Sequence, residues 1–281
     1  MIKNLVAALA VLVALAACGA GGHATRGSGR SAPAKRIVSL IPSLTQDLCE
    51  IGAGKLVVGV SAYSDRIPCV RGVPVVAGFS SVDAERIVRL HPDLVVGIPS
   101  QQRTTESLRR AGIATKFFSD DTYEDIFRDI YGLGVATGRV GQANALIARL
   151  HLQTKTLQAS RRFKRRPSIF VALGTGPIWT VGPDSYLSQI VALAGGRNAV
   201  TSLGSAYAQY SAEALLALQP DAIVTDRFTH LDSALGREPW RSLRAVRDHH
   251  VFVAPDNFER PGPYYNEGLH WLIERLRPLA S

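Results

Sequence analysis

Two stretches of this chain are near-copies, and each carries one glutamate at the same point. Ala84-Glu85-Arg86-Ile87-Val88-Arg89-Leu90-His91-Pro92-Asp93-Leu94-Val95-Val96 matches Ala212-Glu213-Ala214-Leu215-Leu216-Ala217-Leu218-Gln219-Pro220-Asp221-Ala222-Ile223-Val224. Carboxylates at equivalent points of two like units suit pairing with guanidinium forks on a partner that is itself built from two like halves. The other candidates for chemistry are aromatic. Tyr63, Phe79, Trp179, Tyr207 and Phe258 fall at expected strand ends or in loops. Ligands of open α/β sheets bind outside the carboxyl ends of the strands, and flat apolar faces placed there serve as walls of a cleft.

Catalytic sets are missing from the chain. It has no Gly-x-Ser-x-Gly elbow and no Gly-x-x-x-x-Gly-Lys phosphate loop. Gly174-Thr175-Gly176 follows an expected strand, but Trp179 stands where a dinucleotide fingerprint needs its third glycine, so the segment reads as a turn. The histidines show no metal spacing. His249 and His250 are adjacent, and on a strand they point to opposite faces. No enzyme activity, metal or resident cofactor is expected.

The elements that must position these residues follow from periodicity. Each copy of the repeat reads as a short amphipathic helix, a Pro-Asp break and a buried β-branched strand. Copies 128 positions apart imply two similar α/β lobes; the alternative is a coincidence of a common turn. In the first lobe, strands are expected at 36–40, 57–60, 94–96 and 115–118, with helices at about 42–51, 83–90, 105–111 and 122–137. Such alternation means a parallel sheet flanked by helices. Residues 141–163 lack internal proline and carry an apolar stripe through Ala143, Leu146, Ile147, Leu150 and Leu157. At ~1.5 Å per residue this helix reaches roughly 35 Å, and it reads as a rigid connector between lobes. The alternative is a surface helix inside one domain. The second lobe is expected to hold strands at 168–173, 222–225 and 251–254 and helices at 186–194, 211–218 and 265–277. The resulting organisation is a leader over 1–17, a flexible tether over 18–35, lobes over 36–140 and 167–281, and the connector over 141–166.

The first residues read as an export signal. A short cationic start precedes an apolar run, Leu5 to Ala14, that is too short to span a bilayer. Leu15-Ala16-Ala17-Cys18 then resembles a bacterial lipobox, with Cys18 as the lipidated residue. An ordinary signal peptide with an incidental cysteine is the alternative. Gly19 to Lys35 lacks any apolar period and reads as a tether. Extracytoplasmic placement, anchored to a membrane, follows. The net charge of +9 invites a nucleic-acid reading, but export argues against it. The one dense cluster, Arg161-Arg162-Phe163-Lys164-Arg165-Arg166, ends the long helix and reads as a solvated helix end. Cys49 and Cys69 remain after lipidation. An even count in an oxidising compartment suggests a bridge, with two separate thiols as the alternative.

Ser61-Ala62-Tyr63-Ser64-Asp65-Arg66-Ile67-Pro68, the Ala84 to Val88 helix with its Pro92-Asp93 break, Gly174 to Gly182 followed by Gly195-Gly196-Arg197-Asn198, and Asp256-Asn257-Phe258-Glu259-Arg260 resemble the cobalamin-binding substrate-binding proteins of ABC importers. The broader helix-linked group also includes haem and siderophore binders. The resemblance spans 36–278. It implies two Rossmann-like α/β lobes joined by a single long α-helix, with a corrinoid held between them as transported ligand. It implies a cleft lined by Pro42, Tyr63, Phe79, Trp179, Tyr207, Asp256, Phe258 and Arg260. Glu85 and Glu213 then match the surface glutamates that dock on permease arginines. The implied partners are cobalamin or a related corrinoid, an ABC permease with its ATPase, and a membrane reached through the lipid, with the protein a monomer. Phe79 and Tyr207 stand where the family has tryptophan, and Trp179 where it has phenylalanine. The competing readings are a haem or ferric-siderophore receptor and, in another class, an exported α/β enzyme.

Overall fold

The central parallel strands are short apolar runs buried along all or nearly all of their length, as expected when helices cover both faces of a sheet, and the edge strands are partly exposed. The computed structural model describes residues 32–78 and 81–281. Cys18, Phe79 and the leader lie outside the described residues. The first lobe runs β1 (Ile37–Ser39), α1 (Pro42–Glu50), β2 (Val57–Ser61), β3 (Val75–Ala77), α2 (Ala84–Arg89), β4 (Leu94–Gly97), α3 (Glu106–Arg110), β5 (Ala114–Phe117) and α4 (Tyr123–Thr137). Its sheet is parallel throughout, in the order β3-β2-β1-β4-β5. Thr122 and Asp125 form a reciprocal capping box at the start of α4. Gly138, left-handed at φ 71, ends it.

Helix α5 (Val140–Ala159) follows. Its buried stripe is Ala143, Leu146, Leu150 and Thr154. Twenty residues reach about 30 Å, and the helix stops four residues short of the expected Phe163 because the chain turns at Ser160 and Arg161.

The second lobe comprises β6 (Ser168–Ala172), β7 (Gly174–Thr175), β8 (Ile178–Val181), α6 (Tyr186–Leu193), β9 (Arg197–Asn198), β10 (Tyr207–Gln209), α7 (Ala212–Leu218), β11 (Ala222–Thr225), α8 (Arg244–Arg247), β12 (Val251–Val253) and α9 (Tyr265–Leu276). Its parallel sheet has the order β12-β11-β6-β9. A separate antiparallel sheet, β10-β8-β7, is added to it. Periodicity did not anticipate this sheet, since its strands are only two to four residues long.

The repeat is structural. His91 (φ 47) and Gln219 (φ 41) are both left-handed just before their prolines. The Asp93 carboxylate accepts the backbone N–H of Lys35 at 2.8 Å and of Arg36 at 3.1 Å. Asp221 accepts the N–H of Ser168 at 2.8 Å. Each Pro-Asp break therefore pins the start of the strand beside it, β1 in one lobe and β6 in the other. Lys35, placed in the tether by composition, is docked for that reason, and Ala34 donates to the Ala136 carbonyl at 2.8 Å.

The lobes also meet directly. The Tyr186 N–H donates to the Asp121 carbonyl at 2.7 Å, and the Tyr123 N–H to Gln189 Oε1 at 2.6 Å. Glu50 on α1 accepts from Arg149 on α5 at 2.7 Å and from the Tyr264 hydroxyl at 2.7 Å. Tyr265 Oη lies 3.0 Å from Tyr123 Oη and 2.5 Å from Thr154 Oγ1. One apolar core runs from Leu44 and Leu48 through Leu146 and Leu150 to Leu269 and Leu272. Cys49 and Cys69 form a disulfide, Cα–Cα 6.1 Å. Gly54 packs beneath it, where an added Cβ would stand 2.7 Å from Cys69 Sγ.

Candidate ligand-binding cleft

Strand ends build the first wall. Ser39 ends β1 and Ser61 ends β2; with Thr45 and Ser64 they form a buried hydroxyl cluster, Thr45–Ser39 at 2.8 Å and Ser61–Ser64 at 2.9 Å. This cluster holds the turn after β2, in which Tyr63 is left-handed at φ 68 and 53% exposed. A bulky residue in that region is strained, and such strain persists where the surroundings over-determine it. The same loop carries Arg66, Ile67 and Pro68, and the disulfide at Cys69 ties it to α1.

The second wall comes from the loops after β11 and β12. A cavity of about 320 Å³ joins Gln46, Tyr63, Arg66, Ile67 and Pro68 of the first lobe to Arg227, Asp256, Asn257, Arg260, Tyr264 and Glu267 of the second. Of the residues expected at the cleft, it brings together Tyr63, Asp256 and Arg260. Asp256 is clamped by Arg227 at 2.9 Å and by Arg260 at 3.8 Å. Trp179 and Tyr207 form a second group outside that cavity. Register pairs Gln209 with Trp179 and Tyr207 with Val181, so the two aromatics are diagonal neighbours on one face of the antiparallel sheet. They are 39% and 42% exposed. Pro42 is half-buried in the first turn of α1, and its neighbour Ser43 packs on Gly262 of the second lobe.

Phe258 is a correction. It is 1% exposed, its ring centroid 5.7 Å from that of Trp271. Gly268 makes room for it, since a Cβ there would lie 2.6 Å from Phe258 Cα. Asp256 and Arg260 flank it and face the cavity, while Phe258 points under α9. It is a core residue, and it belongs to the cleft only as the anchor of its neighbours.

The cavity wall carries both signs, Arg66, Arg227 and Arg260 with Asp256 and Glu267, and Asp226 and Glu259 line an adjoining pocket that shares Arg227, Asp256 and Arg260. Burial, then Asp121, pushes the Asp120 carboxyl up to about 6. Burial, then Asp226, pushes Glu259 up to about 8. Asp226 itself accepts from the N–H groups of Phe228 and Thr229 at 2.6 and 2.5 Å. Tyr207 is raised to about 12 by burial and then by Asp120, Asp121 and Glu259. Sequence reasoning missed Gln46, Arg227, Tyr264, Glu267 and these acids. The available signal was position, because Asp120-Asp121 follows β5, Arg227 follows β11, and ligands lie outside carboxyl ends of strands. Among the described residues no cluster of histidine, cysteine and carboxylate is placed to hold a metal ion.

Glu85 and Glu213 lie away from the cavity. Each is the second residue of its helix, behind an N-cap, Asp83 or Ser211, that accepts a backbone N–H. Both are exposed, and among the described residues Glu85 pairs with Arg89 alone, at 3.9 Å.

Comparison with known proteins gives the same two-lobe architecture. An uncharacterized ABC transporter substrate-binding lipoprotein, YvrC of Bacillus subtilis, is 30% identical over 254 residues, 87% of this chain and 80% of the relative. The crystal structure of the periplasmic vitamin B12 binding protein BtuF of Vibrio cholerae matches with a TM-score of 0.73 and 27% identity, over 88% of this chain and 98% of that one. The periplasmic heme-binding protein RhuT from Roseiflexus sp. RS-1 matches with a TM-score of 0.79 at 24% identity, over 88% and 99%, a likeness of fold. The sequence pattern of periplasmic binding proteins covers residues 37–258. With two parallel-sheet lobes closing on one cleft, the chain belongs to the periplasmic binding protein family.

Proposed function

We propose that this protein captures cobalamin or a related corrinoid and delivers it to an ABC permease–ATPase complex, held at the membrane by a lipid on Cys18. The observation that carries the reading is the cleft itself. Tyr63 on one lobe, and Trp179 with Tyr207 on the other, offer broad aromatic faces. Gln46, Asn257, Tyr264 and the Arg227–Asp256–Arg260 group supply the hydrogen-bonding rim. A corrinoid presents a flat ring edged with neutral amides, which suits such a rim. Haem, with two propionates, is the competing ligand, and the exposed Tyr63 phenol is the group an axial bond to its iron would use. The ligand leaves chemically unchanged in either reading.

Delivery rests on the repeated glutamates. Equivalent exposed carboxylates on two lobes suit arginines on two like permease subunits. Titration of the purified protein with cyanocobalamin and, separately, with haemin tests the ligand. One-to-one heat with the corrinoid and no Soret shift with haemin is expected; the reverse pattern overturns the reading. Glu85→Arg with Glu213→Arg is expected to leave that titration unchanged while abolishing uptake in cells. Normal uptake by the double variant would leave the glutamates as helix-start residues only.

A further inference from the structure

The basic run at the end of the long helix is not a loosely solvated helix end. Its backbone and side chains are pinned at four points. Lys164 N–H donates to the Ala280 carbonyl at 2.8 Å. Arg161 Nε donates to the Gln158 carbonyl at 3.2 Å. Arg166 donates through Nε and Nη2 to the Gly196 carbonyl at 3.2 and 2.9 Å. Arg165 pairs with Asp221 at 3.1 Å, and that carboxylate is shared with Arg244 at 2.7 Å.

Around this loop lies a cavity of about 440 Å³, lined by Arg161, Lys164, Arg165 and Arg166 over Phe163 and Gly195, with no carboxylate in its wall. Arg161 is half-buried. A side chain at position 195 would fill the space, because its Cβ would stand 2.7 Å from the Phe163 ring and 3.2 Å from Arg161 Nη1. The carbonyls at the ends of α5 and α6 account for some of this positive charge, since helix C-termini favour a cation each. They do not use it up. Both terminal nitrogens of Arg161, Nη1 of Arg166 and the Lys164 ammonium have no acceptor among the described residues. Burial and the neighbouring Arg166 charge both lower the Arg161 pKa, which agrees with cations crowded without an anion.

We propose that this pocket is a binding site for a phosphate ester, presented either by an anionic phospholipid headgroup or by a soluble molecule. A phosphate offers several acceptor oxygens and a full negative charge to guanidinium and ammonium donors that are already held in place. Pre-organised donors lose little freedom on binding. The site lies where the end of the connector meets the second lobe, separate from the cleft, and does not depend on what the cleft binds.

The test uses the full-length protein and the variant Arg161→Gln/Lys164→Gln at low ionic strength. Co-sedimentation with vesicles of phosphatidylglycerol is compared with vesicles of phosphatidylcholine, and calorimetric titration is run with glycerol 3-phosphate. Both proteins carry the same N-terminal segment, so its own membrane affinity cancels. Wild type is expected to bind its anionic probe roughly tenfold more tightly than the variant, the loss of about one charge-assisted hydrogen bond. Heat with glycerol 3-phosphate identifies a soluble ester as ligand. A preference for phosphatidylglycerol without such heat identifies the headgroup in a membrane. Equal behaviour of wild type and variant toward both probes overturns the site. Lys164→Gln alone covers the case in which losing Arg161 loosens the loop, because the Lys164 ammonium bonds nothing within the described residues. Its expected loss is about threefold with an unchanged circular dichroism spectrum, and no loss from this variant also overturns the site.

Discussion

Replacing both Cys49 and Cys69 with serine removes a staple that acts on the cleft as much as on the fold. The bridge closes a chain segment of 20 residues. Loop-closure entropy for that length is worth about 3 kcal/mol of stability. Serine leaves no buried orphan hydroxyl, because Cys69 is exposed and Cys49 only half-buried. For a body of about 250 residues, 3 kcal/mol lowers the melting temperature by about 6–12 °C. The closed segment contains Tyr63, Arg66, Ile67 and Pro68, and Gln46 lies one turn before Cys49 on α1, so five cleft residues sit on the stapled unit. Urea denaturation of wild type, of wild type under reductant and of Cys49→Ser/Cys69→Ser is the assay. The last two are expected to coincide and to fall about 3 kcal/mol below the first. The ligand affinity of the double variant is expected to drop, because the loop carrying Tyr63 must then be ordered by binding. A stability change below about 1 kcal/mol, or reduced wild type that differs from the double variant, would refute the reasoning.

Three further substitutions probe pH-dependent stability, packing and binding. Asp129 is pushed up to about 8 by burial and then by Asp125 and Asp120; its neighbour Asp47, whose Oδ1 has no partner among the described residues, is raised by burial and then by Asp129. The folded chain therefore keeps a proton that the unfolded chain releases near its ordinary carboxylate range, and stability falls as pH rises from about 4 to about 8. Asp129→Asn is expected to flatten that fall by on the order of 2–5 kcal/mol, and parallel pH–stability curves for wild type and variant would contradict it. Phe258→Ala is expected to cost about 3–5 kcal/mol of stability through loss of its packing on Trp271 and Gly268. Tyr63→Ala, at a residue half in solvent, is expected to leave the melting temperature near wild type while weakening ligand binding at least tenfold. Swapped outcomes would return Phe258 to the cleft wall and Tyr63 to the scaffold.

The amino-acid sequence alone specified the alternating helices and strands, the two-lobe plan and the joining helix. Those depend on local apolar period, proline breaks and a repeat, all of which are one-dimensional. It also singled out Tyr63, Trp179 and Tyr207 as cleft aromatics at strand ends or in loops; Tyr63 does follow β2, whereas Trp179 lies within β8 and Tyr207 opens β10. Tertiary structure decided what periodicity does not encode. Phe258 turns inward because Gly268, ten residues on, lets the Phe258 backbone close against α9, while Asp256 and Arg260 on either side keep the cavity. Asp120 and Glu259 meet around Tyr207 only because two lobes close on each other. The basic run after α5 reads as solvent-facing charge until the carbonyls of Gly196 and Ala280, from elements 30 and 116 residues away, hold it around a hollow. Side-chain direction and through-space charge are set by contacts between distant segments, so they emerge only when the chain has packed.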